Sequence, residues 1–124
     1  MKHVLAGIAL CLLGGCASLP SPQEAANADY GQYPSDYEQI AHNYYEMIAK
    51  DPSSLQYRSI TVPRQFWLGN RFTGAQYGYL VCVTVNAKNG FGGYVGFETD
   101  ALLIRNGTVI QYLQRGDWFG RQMC

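Results

Sequence analysis

Few side chains in this chain permit covalent or acid–base chemistry: four cysteines, two histidines, and the carboxylate pair Glu98 and Asp100. A Cys–His nucleophile needs a reduced thiol beside a base at the mouth of a cleft. Cys82, however, lies within a strongly alternating strand pattern, and His42 lies on a helical pattern, where it reads as a solvated or half-buried side chain. Glu98 and Asp100 are two residues apart and so share one face of an extended segment. They could divide acid and base roles only in a cleft that separates their proton affinities. As a plain polar strand face they would instead meet Arg105 or Arg115. No Cys, His and carboxylate positions have metal-ligand spacing. The expectation is a non-enzymatic chain with no catalytic residue, metal or cofactor.

The conspicuous internal segment is Val85-Asn86-Ala87-Lys88-Asn89-Gly90-Phe91-Gly92-Gly93-Tyr94-Val95-Gly96-Phe97. Its glycines suggest a phosphate loop, but the run joins one strand pattern to another, so no helix N-terminus is there to hold an anion. Two readings remain. In one, Asn89-Gly90 turns the chain, the other glycines allow bulges, and Phe91, Tyr94 and Phe97 pack on the sheet. In the other, the loop presents Asn86, Lys88, Asn89, Tyr94 and Phe97 as a contact surface, since amides and aromatics on a loop suit protein or glycan recognition. The segment resembles a VNAKN–GGYxGF signature of small uncharacterised proteobacterial exported proteins. That resemblance implies a class and a compartment, and no activity.

The N-terminal segment points the same way. Lys2 is followed by the apolar run Val4 to Leu13 and then by Leu13-Gly14-Gly15-Cys16. Ten apolar residues are too few for a transmembrane helix, which needs about 20, but they suit the core of an export signal. The four-residue pattern resembles the lipobox of bacterial lipoproteins. The resemblance implies cleavage after residue 15 and acylation of Cys16 by fatty chains such as palmitate. Several chains on one residue anchor stably, at about 0.8 kcal/mol per buried CH₂. Ala17 and Ser18 lack an inner-membrane retention signal such as Asp after the cysteine, which by the same resemblance implies the periplasmic face of the outer membrane.

Loss of residues 1–15 removes Lys2, His3 and Cys11, leaving eight Lys+Arg against nine Asp+Glu. That balance argues against a nucleic-acid partner, which would need a basic stripe, and gives no general attraction to acidic lipid. With Cys16 acylated, Cys82 and Cys124 remain, and an oxidising compartment favours their pairing. The alternative is a buried Cys82 with a free, frayed Cys124.

These groups need elements to position them. Residues 16–35, punctuated by Pro20, Pro22 and Pro34, read as the acylated cysteine and a flexible tether, and 36–124 as one small domain. Tyr37, Ile40, Ala41, Tyr44, Met47 and Ile48 recur at helical spacing and predict a helix ending near Lys50, before Asp51-Pro52. Ser35 or Asp36 could cap it, and Ser35 and Glu38 have the spacing of a capping box. Strands are predicted over 56–66, 76–85, 94–104 and 108–114, with Pro63 marking an edge or bulge. Along 76–85, residues 77, 79, 81, 83 and 85 share one face, and 80, 82 and 84 the other. Asn106-Gly107 between two apolar runs is a strong hairpin signal. The predicted fold is α+β, one N-terminal helix packed on an antiparallel sheet of about four strands. The expected role is a membrane-attached binding or scaffolding module for an envelope protein or peptidoglycan, with a lysozyme inhibitor or glycan binder as the alternative.

Overall fold

A computed structural model describes residues 18–124; the expected export signal 1–15 and the expected acylation site Cys16 lie outside the described residues. The fold is α+β. Helices α1 (Pro22–Ala26) and α2 (Tyr37–Ile48) precede strands β1 (Gln56–Ile60), β2 (Arg64–Asn70), β3 (Gly74–Asn86), β4 (Glu98–Arg105) and β5 (Thr108–Leu113). A small hairpin, β6 (Asp117–Trp118) and β7 (Arg121–Gln122), ends the chain. The main sheet is antiparallel, in the order β1-β3-β4-β5, with β2 also paired to β3. It therefore has five strands rather than four, and the principal helix is preceded by a second, shorter one.

The extra strand comes from a break at 61–63. Pro63 has no N–H to donate to a ladder. Thr61 fills the gap: its N–H donates to the Cys82 carbonyl (3.0 Å) and its hydroxyl accepts from the Cys82 N–H (2.8 Å). The chain then rejoins the same edge of β3 as β2, opposite residues 74–80, while β1 lies opposite 83–86. Strand β4 also starts later than the pattern suggests. Gly96 has φ of 100°, outside the extended region, and its N–H is taken by the Asn86 side chain, so pairing with β3 begins only at Glu98.

Two cores follow from the alternation along β3. On one face, Ala41 and Tyr45 of α2 pack on Val81, Val83, Val85, Leu102 and Ile104. On the other, Leu68, Leu80, Ala101, Leu103, Leu113 and Met123 cluster, flanked by Phe66, Ile110 and Trp118. Each fully buried Leu, Ile or Val contributes about 1.5–3 kcal/mol. Close backbone approach matters at Gly78, where a Cβ would lie 2.6 Å from the Ile104 carbonyl oxygen. Asn106 and Gly107 both have positive φ, 49° and 78°, as a two-residue hairpin turn requires. The capping box does not form: Asp36 is the N-cap of α2 and makes no side-chain capping bond.

The described part of the segment expected as a tether, residues 18–35, is folded onto the domain. Tyr30 is buried, donates to the Ala25 carbonyl, and meets Tyr77 and Tyr79 edge-on. Arg105 pairs with Asp29 at 3.4 Å, and Gln32 N–H donates to the Asn106 side chain. Aromatic burial and these polar ties outweigh the proline-rich composition, so the folded unit begins before residue 36.

Candidate functional site

The glycine-rich loop 87–97 links the end of β3 to the start of β4 and closes one side of a cleft of about 270 Å³. The C-terminal end of α2 closes the other side, and Tyr45, Asp100 and Tyr112 line the cleft with Leu55, Val85 and Val95.

Asparagines order the loop. Asn86 is buried, and its Oδ1 accepts from the Gly96 N–H at 3.0 Å. Asn89 Oδ1 accepts from the N–H groups of Phe91 (2.9 Å) and Gly93 (3.2 Å), while its own N–H donates to the Gly93 carbonyl. Lys88 N–H donates to the hydroxyl of buried Ser54, and Lys88 and Tyr94 form an isolated β-bridge. The expected contact residues thus divide. Asn86 is a support rather than a contact, and Asn89 Oδ1 serves the loop's own backbone. Lys88 Nζ lies 5.5 Å from the centre of the exposed Tyr94 ring, and Arg58 stacks over Phe97 at 4.0 Å. Phe91, expected to pack on the sheet in the first reading and absent from the contact set of the second, is 100% exposed at the loop tip. The sequence signal for it was present: a large apolar residue between Gly90 and Gly92 has no neighbour to cover it.

Behind the loop sits a polar network that sequence reasoning missed in part. Asp100 is buried; its Oδ2 accepts from the phenols of Tyr45 (2.6 Å) and Tyr112 (3.3 Å), and its Oδ1 accepts from the Arg115 N–H (2.8 Å). Glu98, on the same strand face, pairs with the Arg115 guanidinium at 3.4 Å, whereas Arg105 belongs to the far end of β4. Burial, reinforced by the Asp100 carboxylate, holds the Tyr45 phenol far above its ordinary ionisation range. Burial, with Asp100 beside it, raises Tyr112 as well. A carboxylate held by three donors from α2, β5 and the following turn is a fastening between elements.

The other chemistry-bearing residues are occupied elsewhere. His42 stacks on the Tyr57 ring, centroids 4.2 Å apart. Cys82 and Cys124 form a disulfide with Cα atoms 5.8 Å apart, tying the C-terminus to the middle of β3. Among the described residues no three His, Cys, Asp or Glu side chains come together as a metal site. No protein-family model, curated protein or solved structure matches the chain.

Proposed function

We propose that this chain is a lipid-anchored binding module of the bacterial cell envelope. Cys16 carries the acyl chains, the domain sits on the periplasmic face of the outer membrane, and loop 87–97 docks an envelope protein. The supporting observation is Phe91, wholly exposed on a loop whose backbone is held by Asn86 and Asn89. An exposed aromatic on a pre-ordered loop loses little conformational freedom on binding, which is how hot-spot residues of interfaces act.

The position of the loop supports the same reading. Strand β3 has 13 residues, and fully extended such a strand spans about 40 Å. The loop leaves one end of β3, and Leu19, near the anchor, packs at Gly69 beside the other. An anchor and a binding loop at opposite ends of the longest strand present the loop away from the bilayer.

A photo-crosslinking residue at position 91 in intact cells should form a discrete adduct with one envelope protein, and the same residue at exposed position 47 on α2 should not. Monomer alone at position 91 counts against the reading. The glycan or lysozyme-inhibitor alternative rests on Tyr94, whose exposed ring could stack on a sugar beside Lys88. Saturable titration of the domain with muropeptides or lysozyme, lost in Tyr94→Ala, would favour it over a protein partner.

A further inference from the structure

Exposed aromatic residues also gather at the opposite end of the molecule. Gly69 is the meeting point. Leu19 packs against it, with Leu19 Cδ2 3.2 Å from where a Gly69 Cβ would lie. Trp118 donates its indole N–H to the Gly69 carbonyl at 3.3 Å and touches Phe119 edge-on, centroids 4.9 Å apart. The β2–β3 turn follows at once and carries Arg71 and Phe72; Asn70 Oδ1 orders it by accepting from the N–H groups of Phe72 and Thr73. Phe72 is 91% exposed and Phe119 75%.

Neither aromatic is where folding alone would put it. Phe119 and Gly120 form the tip of the β6–β7 hairpin with φ of 48° and 82°. Such a turn favours Asn or Gly at both positions, and a bulky side chain in the left-handed region is strained. Arg71 and Arg121 are exposed beside these rings, and neither is in an ion pair among the described residues. Asp117, in the same hairpin, pairs in register with Gln122.

We propose that this corner, formed by Leu19, Phe72, Trp118 and Phe119 with Arg71 and Arg121, rests in the headgroup region of the bilayer that holds the acyl chains of Cys16. The inference depends on the anchor reading above. Chain geometry selects the bilayer as the occupant: Cys16 and Leu19 are three residues apart, so at most about 10 Å of backbone separates the acylated residue from this corner. Aromatic rings with arginines alongside are what a membrane interface accommodates. The rings carry the docking, because the chain's near-neutral charge balance supplies no long-range pull. Docking here orients β3 away from the bilayer, so loop 87–97 points into the periplasm instead of lying on lipid.

The test uses the full chain, purified with its native lipid and reconstituted into phosphatidylethanolamine–phosphatidylglycerol vesicles that contain a bromolipid quencher. Both tryptophans of the chain, Trp67 and Trp118, lie on β2 or the β6–β7 hairpin and report directly. Their fluorescence should be quenched in the wild type and recover in Phe72→Ser/Phe119→Asn, a variant that relieves turn strain and so should not unfold. Mass spectrometry of Cys16 is read in parallel. An acylated protein whose tryptophans stay unquenched overturns the docking and leaves the anchor standing. A chain without acyl groups on Cys16 overturns the anchor and the docking with it.

Discussion

The phenol of Tyr45, in the last turn of α2, donates a 2.6 Å hydrogen bond to Oδ2 of Asp100 on β4, joining residues 55 positions apart in the chain. It is the polar link between helix and sheet at the base of the cleft. A hydrogen bond to a charged group is worth about 1.5–3 kcal/mol. Tyr45→Phe should therefore lower unfolding stability in urea by that amount with no change of fold. Asp100→Ala should cost more, because it leaves two phenols and the Arg115 N–H without their acceptor.

The same tyrosines make stability fall in alkali. A free tyrosine ionises near 10.0, and Tyr45 and Tyr112 are raised above that in the folded chain. Below pH 10 both states keep the proton and the contribution is complete. Above it the unfolded chain loses protons that the native chain retains, so stability declines as pH rises. Urea midpoints measured across this range should drop, and the Tyr45→Phe variant should show a shallower decline.

Tyr57 offers the opposite case. Its hydroxyl is buried and makes no hydrogen bond, while its ring packs on His42 and Tyr45. An unpaired buried hydroxyl costs about 1–3 kcal/mol. Tyr57→Phe should be neutral or stabilising by up to that amount in thermal unfolding, and a loss of stability would mean the hydroxyl has a partner in solution.

The order of loop 87–97 hangs on Asn86. Asn86→Ala should free the Gly96 N–H and speed amide hydrogen exchange from Gly92 to Gly96, while β3 and β4 stay protected. If Phe91 acts from a pre-ordered loop, the position-91 crosslink should weaken in this variant although Phe91 itself is untouched.

Reduction of Cys82–Cys124 opens a covalent loop with a sequence separation of 42. Closing a loop of that size is worth about 2–4 kcal/mol. Melting should fall accordingly in reductant. Exchange should rise first at Met123, whose N–H donates to Gly116 and whose carbonyl accepts from Arg64.

Much of the fold was legible in local pattern. The period-3.6 recurrence from Tyr37 to Ile48 located α2, and the alternation from Tyr77 to Val85 placed Val81, Val83 and Val85 in one core and Leu80 in the other. Those signals are local because side-chain direction follows from backbone period alone. Asn106-Gly107 marked its turn for an equally local reason, the positive φ that both residues tolerate. The pairing of Cys82 with Cys124 was one of two open readings, and the fold chose it by bringing the chain end back to β3.

The rest depended on contacts distant in sequence. Pro63 signalled a break, but only the Thr61–Cys82 hydrogen bonds returned the chain to the same strand as β2. Nothing local to 16–35 opposed a tether; the partners of Tyr30 and Asp29 lie on β3 and β4. Glu98 and Asp100 were visible as a pair, yet Tyr45, Tyr112 and Arg115 reach them from three other places in the chain. The segment 85–97 was conspicuous by composition alone, whereas the exposure of Phe91 and the burial of Asn86 were decided by tertiary packing. Residue type and spacing determine which face a side chain takes; which surfaces are covered depends on what the rest of the chain brings against them.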